Sequence, residues 1–463
     1  MNFRQLPNRE ALHLLFSSHR LKKLDLSCFF VQDGETFSAN VPYALPHLKE
    51  IIDICTGGEF TYCFPTSPDN TEIHLQTKKH MEDECNSLLH MLSKDPQPDL
   101  QSFVMTKIIT ISKFALQQLI QVSTNLTEIH TLLDCIDLNV LVNCKMLRIL
   151  RLHTSPETSF RSCPRELIKT WGNVLPSLEN LEIFTFCNDY FVMRPVIAIA
   201  LDHCPKLTSV GHFDSSRAIE CIEAKVNKSH TGYFNLKKCF WGNETVCKVA
   251  CQPCQPRNSQ SAQSFHSVCT RNERQNLQSS FPELINTAVS RCPFVEELSL
   301  QVLHKDCLQH LRRLKRLNSL VLECAYCDDL DVDECFSSLG EIRHQLKHFV
   351  IKRIDLLNTD RRFPLNVVID NCENLETLGV LELTAINLPL RTNTRFRRLK
   401  RISIEMKFDG LGQILRYCDN LTYLLLFGHY MINESELQEN LSHISALKLQ
   451  TLRIQSRFFP KMP

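Results

Sequence analysis

The chain has 463 residues, with 52 Lys+Arg against 51 Asp+Glu and a formal net charge of +1. So balanced a charge excludes a global field that would hold nucleic acid or an anionic membrane. With 43% hydrophobic and 22% charged residues, the composition is globular rather than disordered.

Leucine supplies 66 residues and glycine only 12, so folds that cradle phosphates on glycine turns are poorly served. The first sixteen residues mix Arg4, Asn8, Arg9, Glu10 and His13 among apolar ones, which a secretory leader's apolar core does not allow. No apolar run approaches the roughly 18 residues of a membrane span. The expected compartment is cytoplasmic or nuclear. The 22 cysteines are read as reduced thiols, because several fall on one fixed helical register.

In chain order, Leu12, Leu15 and Phe16 suggest a first helix, and Leu21, Leu24 and Leu26 a strand after it. Weaker copies of that strand begin near Leu48, Leu100 and Leu126. Val140, Leu141 and Cys144 then end a helix, and Leu147, Leu150 and Leu152 follow. Leu178, Leu181 and Ile183 make the next strand. Ile197, Ala200, Leu201 and Cys204 stand at i, i+3, i+4 and i+7, one stripe of a helix. Ile285, Ala288, Val289 and Cys292 repeat that spacing, as do Leu365, Val368, Ile369 and Cys372, and Leu411, Ile414, Leu415 and Cys418. After each of the last three stripes, apolar residues recur three, six and eight positions on. The final two of each set alternate with exposed positions, as a short strand requires. Strands without the cysteine begin at Leu317, Leu346, Leu399 and Leu449.

The spacing between most anchors matches the leucine-rich repeat period of about 20–29 residues, one strand and one helix per turn. The expected fold is an α/β leucine-rich-repeat solenoid (horseshoe) with a parallel inner sheet and outer helices, running as a single solenoid over 1–463. A single turn cannot bury its leucines; stacking does so. Cysteine suits the narrow helix end because it is small and apolar.

Residues 215–280 interrupt the pattern, with Leu236 and Leu277 their only leucines. They read as a polar loop insertion within the solenoid, because so few apolar groups cannot offset ordering entropy. Cys251-x-x-Cys254 and His266-x-x-Cys269 in this stretch have the spacing of a tetrahedral zinc site. The other reading is a loop in a cysteine-rich chain, and no metal or cofactor is expected. No nucleophile elbow, phosphate loop or dinucleotide fingerprint occurs, so the chain is expected not to be an enzyme. The basic runs Arg312-Arg313-x-Lys315-Arg316 and Arg395-x-Arg397-Arg398-x-Lys400-Arg401 lack interleaved aromatics apart from Phe396. They are read as solvated faces, with no nucleic acid and no membrane as partner.

The Cys-x-x-Leu-x-x-Leu-x-Leu copies at Cys144 and Cys418, with near-copies at Cys204, Cys292 and Cys372, resemble the repeats of F-box/leucine-rich-repeat proteins. The resemblance spans most of the chain. It implies a non-catalytic protein-recognition module, the substrate receptor of a cullin-type ubiquitin ligase. The chain departs from that family at its start. An F-box takes roughly 40–50 residues, and the first repeat helix already begins near Leu12. Contact with a Skp-type linker and cullin therefore requires a missing or external N-terminal element. The alternative function is a stand-alone leucine-rich-repeat scaffold or regulatory binder with no ligase.

The expected partner is a protein on the concave face, where residues between strand leucines point outward. The candidate contacts are Arg148, Arg151, Glu179, Glu182, Glu296, Glu297, Lys347, His348, Glu376, Lys400, Arg401 and Tyr423. In this reading the curve runs from basic to acidic, then mixed to basic.

Overall fold

The computed structural model describes residues 20–25, 45, 47–52, 79, 82–83, 85–105, 111–153, 165–187, 193–210, 233–241, 271–302, 306–324, 337–353, 362–364, 368, 371–381, 384–386, 398–405, 415, 418–428 and 449–456. The chain divides into two compact units: Met1–Asp214 with Glu244–Val268, and Ser215–Asn243 with Cys269–Pro463.

The first unit carries β1 (Lys23–Asp25), β2 (Glu50–Ile52), β3 (Ser102–Val104), β4 (Glu128–Leu132), β5 (Ile149–His153), β6 (Ile183–Cys187) and β7 (Ser209–Val210). Each strand pairs in parallel with the one before it. The register superposes Leu24, Ile51, Phe103, Ile129, Leu150 and Phe184. All are buried, and burying one such side chain contributes about 1.5–3 kcal/mol. Trp171 closes this core edge-on, 5.3 Å from Phe184 and 6.1 Å from Phe186.

The second unit carries β8 (Lys238–Trp241), β9 (Glu297–Val302), β10 (Ser319–Cys324), β11 (His348–Arg353), β12 (Arg362–Pro364), β13 (Thr377–Leu381), β14 (Thr384–Ile386), β15 (Arg401–Glu405), β16 (Tyr423–Gly428) and β17 (Thr451–Ser456). Its main sheet is parallel, in the order β8-β9-β10-β11-β13-β15-β16-β17, and β12 pairs with β14 apart from it. Cys239, Leu298, Leu320, Phe349, Leu378, Ile402, Leu424 and Leu452 form its core row. All are buried except Leu452, which is 39% exposed. Helices on the leucine side and a repeated parallel register establish the α/β leucine-rich-repeat fold expected from the sequence.

The cysteine register has a backbone cause. The Cys144 amide donates to Leu141 O at 2.9 Å, and the Cys144 carbonyl accepts from Leu147 N at 3.0 Å. Cys418 repeats both bonds, to Leu415 O and from Leu421 N; Cys204 and Cys372 donate one residue further back, to Ala200 O and Val368 O, and their carbonyls accept from Leu207 N and Leu375 N in the same way. The residue thus ends one helix and starts the turn into the next strand, where space suits a small side chain. All four thiols are buried. Two residues before each core anchor, one carbonyl accepts both amides of the next repeat. Thr127 O takes Arg148 N and Ile149 N at 2.8 and 2.9 Å, and Lys347 O takes Glu376 N and Thr377 N at 2.7 and 2.9 Å. This fork recurs from repeat to repeat and fixes the register.

The stripe residues Ile197, Ala200, Leu201 and Ile285, Ala288, Val289 are buried on helices Arg194–His203 and Arg271–Arg291. Leu365, Ile369, Leu411, Ile414 and the proposed first helix at Leu12–Phe16 lie outside the described residues. Two expectations change. Val140 and Leu141 stand on a 3-10 helix, Leu138–Asn143, rather than an α-helix, because the short repeat leaves room only for the tighter turn. The stretch 215–280 is not all loop: it includes β8 and the first half of helix Arg271–Arg291. Strand β8 forms because Cys239 and Trp241 alternate into the core despite the scarcity of leucine. The candidate zinc ligands Cys251, Cys254, His266 and Cys269 lie outside the described residues. Among the described residues, no group of three metal-ligating side chains comes together, and no helix is long and apolar enough to cross a membrane.

The first basic run has a structural use. Arg312 donates to Ser338 O and Ser337 O at 2.7 and 2.9 Å, and Arg313 donates to Asn286 O and Ser290 Oγ at 3.0 and 2.9 Å. These guanidinium groups clamp neighbouring repeats. Gly340, at φ 58°, lies where a Cβ would meet Arg312 Nε at 3.0 Å, so glycine permits both the turn and the clamp.

Candidate functional site

Alternation places the residues beside each core anchor on the opposite, open face of the sheet. In the second unit the residues just after the anchors are Ser299, Val321, Val350, Gly379, Ser403 and Leu425, side by side on β9 to β16. All are half-buried except Gly379, which is buried. A Cβ on Gly379 would meet both Val350 γ-carbons at 3.0 Å. Glycine therefore lets Val350 lean across this part of the row. The result is a shallow, mostly apolar strip.

Beside the strip runs a polar row: Lys238, Glu297, Ser319, His348, Thr377, Arg401 and Tyr423. One residue earlier, where the fork fixes the backbone, stand Lys237, Glu296, Asn318, Lys347, Glu376, Lys400 and Thr422. Lys237 pairs with Glu296 at 3.4 Å and Lys238 with Glu297 at 2.7 Å. Lys400 pairs with Glu376 at 2.8 Å. The hydrogen bond from Lys400 holds the Glu376 carboxyl below its usual range, and the nearby charges of Lys400, Lys347 and His348 add to this. His348 Nδ1 shares a hydrogen bond with Thr377 Oγ1 at 3.0 Å. The Arg401 guanidinium carbon lies 5.9 Å from the Tyr423 ring centroid, within cation–π range.

The first unit treats its candidates differently. Arg148 Nε and Nη2 donate to Glu182 Oε1 and Oε2 at 2.9 and 2.8 Å, and that bidentate bond holds the Glu182 carboxyl low. Arg151 is half-buried on β5, in register between His130 and Thr185. Glu179 is exposed in the turn before β6 and is not on the sheet face. Its neighbour Asn180 donates its amide to Lys145 O at 2.8 Å, bridging two turns.

Ten of the twelve candidates thus fall into two sets, with Arg151 and Glu179 in neither. Glu296, Glu297, Lys347, His348, Glu376, Lys400, Arg401 and Tyr423 come together along one unit. Arg148 and Glu182 satisfy each other in the other. Reading the curve as successive basic and acidic zones misses that opposite charges mostly face each other across neighbouring strands.

The sequence reading also missed two histidines. His130 on β4 and His153 on β5 are 7% and 3% exposed. Their rings stack at 4.4 Å with 22° between planes, and their Nε2 atoms share a hydrogen bond. The available signal was positional: His130 follows core Ile129, and His153 stands three after core Leu150. Aligning the two strands would have placed both on one face of adjacent strands.

None of the register cysteines offers a ready nucleophile. Burial pushes the Cys144 thiol up to about 11 and the Cys204 and Cys372 thiols up to about 12. Hydrogen bonding to Cys239, followed by burial, raises the Cys292 thiol. Thiols held this far from ionisation are structural.

No family model matches the chain, and no curated protein matches it. Several solved structures are similar to it at low identity. Rad7, in a yeast complex with Elc1, is 14% identical; the match covers 79% of this chain and 84% of that one, with a TM-score of 0.40. The leucine-rich-repeat-containing protein LegL7 from Legionella pneumophila is 12% identical over 66% of this chain and 94% of that one, with a TM-score of 0.36. TLR13, in complex with ssRNA13, is 14% identical over 92% of this chain and 62% of that one, with a TM-score of 0.28.

Proposed function

We propose that this chain is a non-catalytic protein-recognition module that holds a protein partner on the open sheet face of β9 to β16. The observation behind this reading is the half-exposed strip Val321–Val350–Ser403–Leu425, flanked by charged residues and Tyr423 on a fixed parallel register. Apolar ground with an aromatic and arginine beside it is the composition of an interface centre. Rigid strands also hold those groups in place before binding, which lowers the ordering cost. In the finer form of the proposal, the partner is a substrate brought to a cullin-type ubiquitin ligase, with the chemistry on other subunits. A Skp-type linker would attach through an element outside the repeats. The setting is the cytoplasm or nucleus.

The test is affinity purification of the tagged chain from native lysate, beside a Val350→Lys, Leu425→Lys variant, with quantitative mass spectrometry. Proteins that the variant loses are the expected partners. Recovery of a cullin and its linker supports the ligase role. One stoichiometric partner without them supports a stand-alone scaffold. Identical recoveries from both forms would sink the assigned surface.

A further inference from the structure

We infer that the partner presents an extended acidic segment with an apolar anchor, which docks across β11, β13, β15 and β16 of the second unit; this rests on the recognition role proposed above. The charges of the unit are unevenly balanced. At the starts of β8 and β9, Lys237 and Lys238 are matched by Glu296 and Glu297. At the starts of β11, β13 and β15, Lys347, Lys400 and Arg401 meet a single carboxylate, Glu376. Lys400 already engages it at 2.8 Å. Lys347 and Arg401 are exposed and make no ion pair among the described residues. The depressed Glu376 carboxyl, which responds to Lys400, Lys347 and His348 together, reports the same local excess of positive charge.

The geometry favours carboxylates on an extended chain. Arg401 lies over Tyr423, which orients its planar fork, and that fork matches a carboxylate in two parallel hydrogen bonds. Lys347 precedes β11, and Arg401 begins β15 two strands away. At about 4.8 Å per strand the backbones that carry the two cations are about 10 Å apart, the reach of about three residues of extended chain. Val350 and Leu425 stand two residues further along their strands than His348 and Tyr423 of the polar row, and Val350 leans over Gly379 on the strand between the two cations, so an apolar side chain between the carboxylates would meet Val350. Nucleic acid fits less well. Its affinity grows with the number of phosphates neutralised, and the chain as a whole carries only +1.

The experiment is selection of a random twelve-residue peptide library on the whole chain. Selected peptides are then measured by fluorescence anisotropy against wild type, Lys347→Glu with Arg401→Glu, and Val350→Lys. The expected result is peptides with acidic residues around an apolar one. Their affinity should fall at least tenfold on charge reversal and also weaken with added salt. Circular dichroism checks each variant's folding, and Lys347→Gln with Arg401→Gln replaces the reversal if that variant is unfolded.

Peptides that depend on Val350 but ignore both cations would leave the recognition role standing and overturn the acidic partner. Peptides indifferent to every substitution, or no selectable peptide, would overturn both. A single-stranded oligonucleotide that bound more tightly than any peptide, with the same dependence on Lys347 and Arg401, would overturn the acidic segment in favour of nucleic acid.

Discussion

The two units share one repeat but use their open sheet faces differently. In the first, part of that face is closed: His130, His153, Thr185 and Ser209 are 7%, 3%, 2% and 7% exposed, while Ile52, Val104 and Arg151 stay half-buried. In the second, every post-anchor position from Ser299 to Leu425 is half-buried, except Gly379. The leucines determine only which side faces the core. They leave the opposite side free, so one unit can satisfy polar groups inside the protein while the other keeps an apolar strip accessible. Buried polar groups cost stability unless paired, so the first face serves the fold. An exposed apolar strip gains only when covered, so the second suits a partner.

Substitutions can break this contrast, beginning with the largest effect. Trp171→Ala empties the aromatic cluster on Phe184 and Phe186 and should cost about 3–5 kcal/mol. Hydrogen exchange should speed up in β5 and β6 and far less in β15 and β16, because repeats depend chiefly on their neighbours. Equal loss of protection in both units would contradict local stacking.

On the open faces, His130→Ala should destabilise the protein by about 1–3 kcal/mol, since it removes one partner of a buried imidazole. Ser403→Ala on the second face should stay within about 0.5 kcal/mol of wild type. Urea titration of both variants measures the difference, and similar values would erase the distinction between the faces.

The thiols predict an alkaline weakness common to both units. Their folded pKa values are raised, to about 11 for Cys144 and about 12 for Cys204 and Cys372. Their stabilising contribution is complete below the unfolded value near 9 and is lost as pH rises toward the folded values. By pH 10 each such thiol should contribute about 1 kcal/mol less. Melting curves from pH 8 to 10.5 should slope downward, and a Cys204→Ala, Cys372→Ala variant should slope less. Iodoacetamide should label these residues only after denaturation. Rapid labelling of the native protein would contradict their burial.

The smallest effect belongs to the exposed ion pairs. Swapping Lys238 and Glu297 should change stability by no more than about 0.5 kcal/mol.

The comparison also explains what the sequence could and could not reveal. Cys144, Cys204, Cys372 and Cys418 were legible because each repeat asks the same thing of them: end a helix, start a turn and fill little space. The strand leucines were legible for the same reason. Helix type was harder. The Val140–Leu141 stripe is apolar on one side, and a 3-10 turn buries it as readily as an α-helix does.

The partners of charged residues were not legible at all. Arg148 with Glu182 and Lys237 with Glu296 belong to different repeats, and only the register brings each pair together. The same holds for His130 with His153. Glu179 was misplaced because the strand starts later than its leucine spacing suggests; Ile183 is the first residue of β6.

The most direct test of the recognition surface is a lysine-acetylation footprint of the chain, alone and bound to the partner recovered by affinity purification. The expected result is protection of Lys347 and Lys400 in the second unit. Exposed lysines of the first unit such as Lys113, Lys145 and Lys206 should react as before. Protection confined to those three, with Lys347 and Lys400 as reactive as in the free protein, would contradict the assignment.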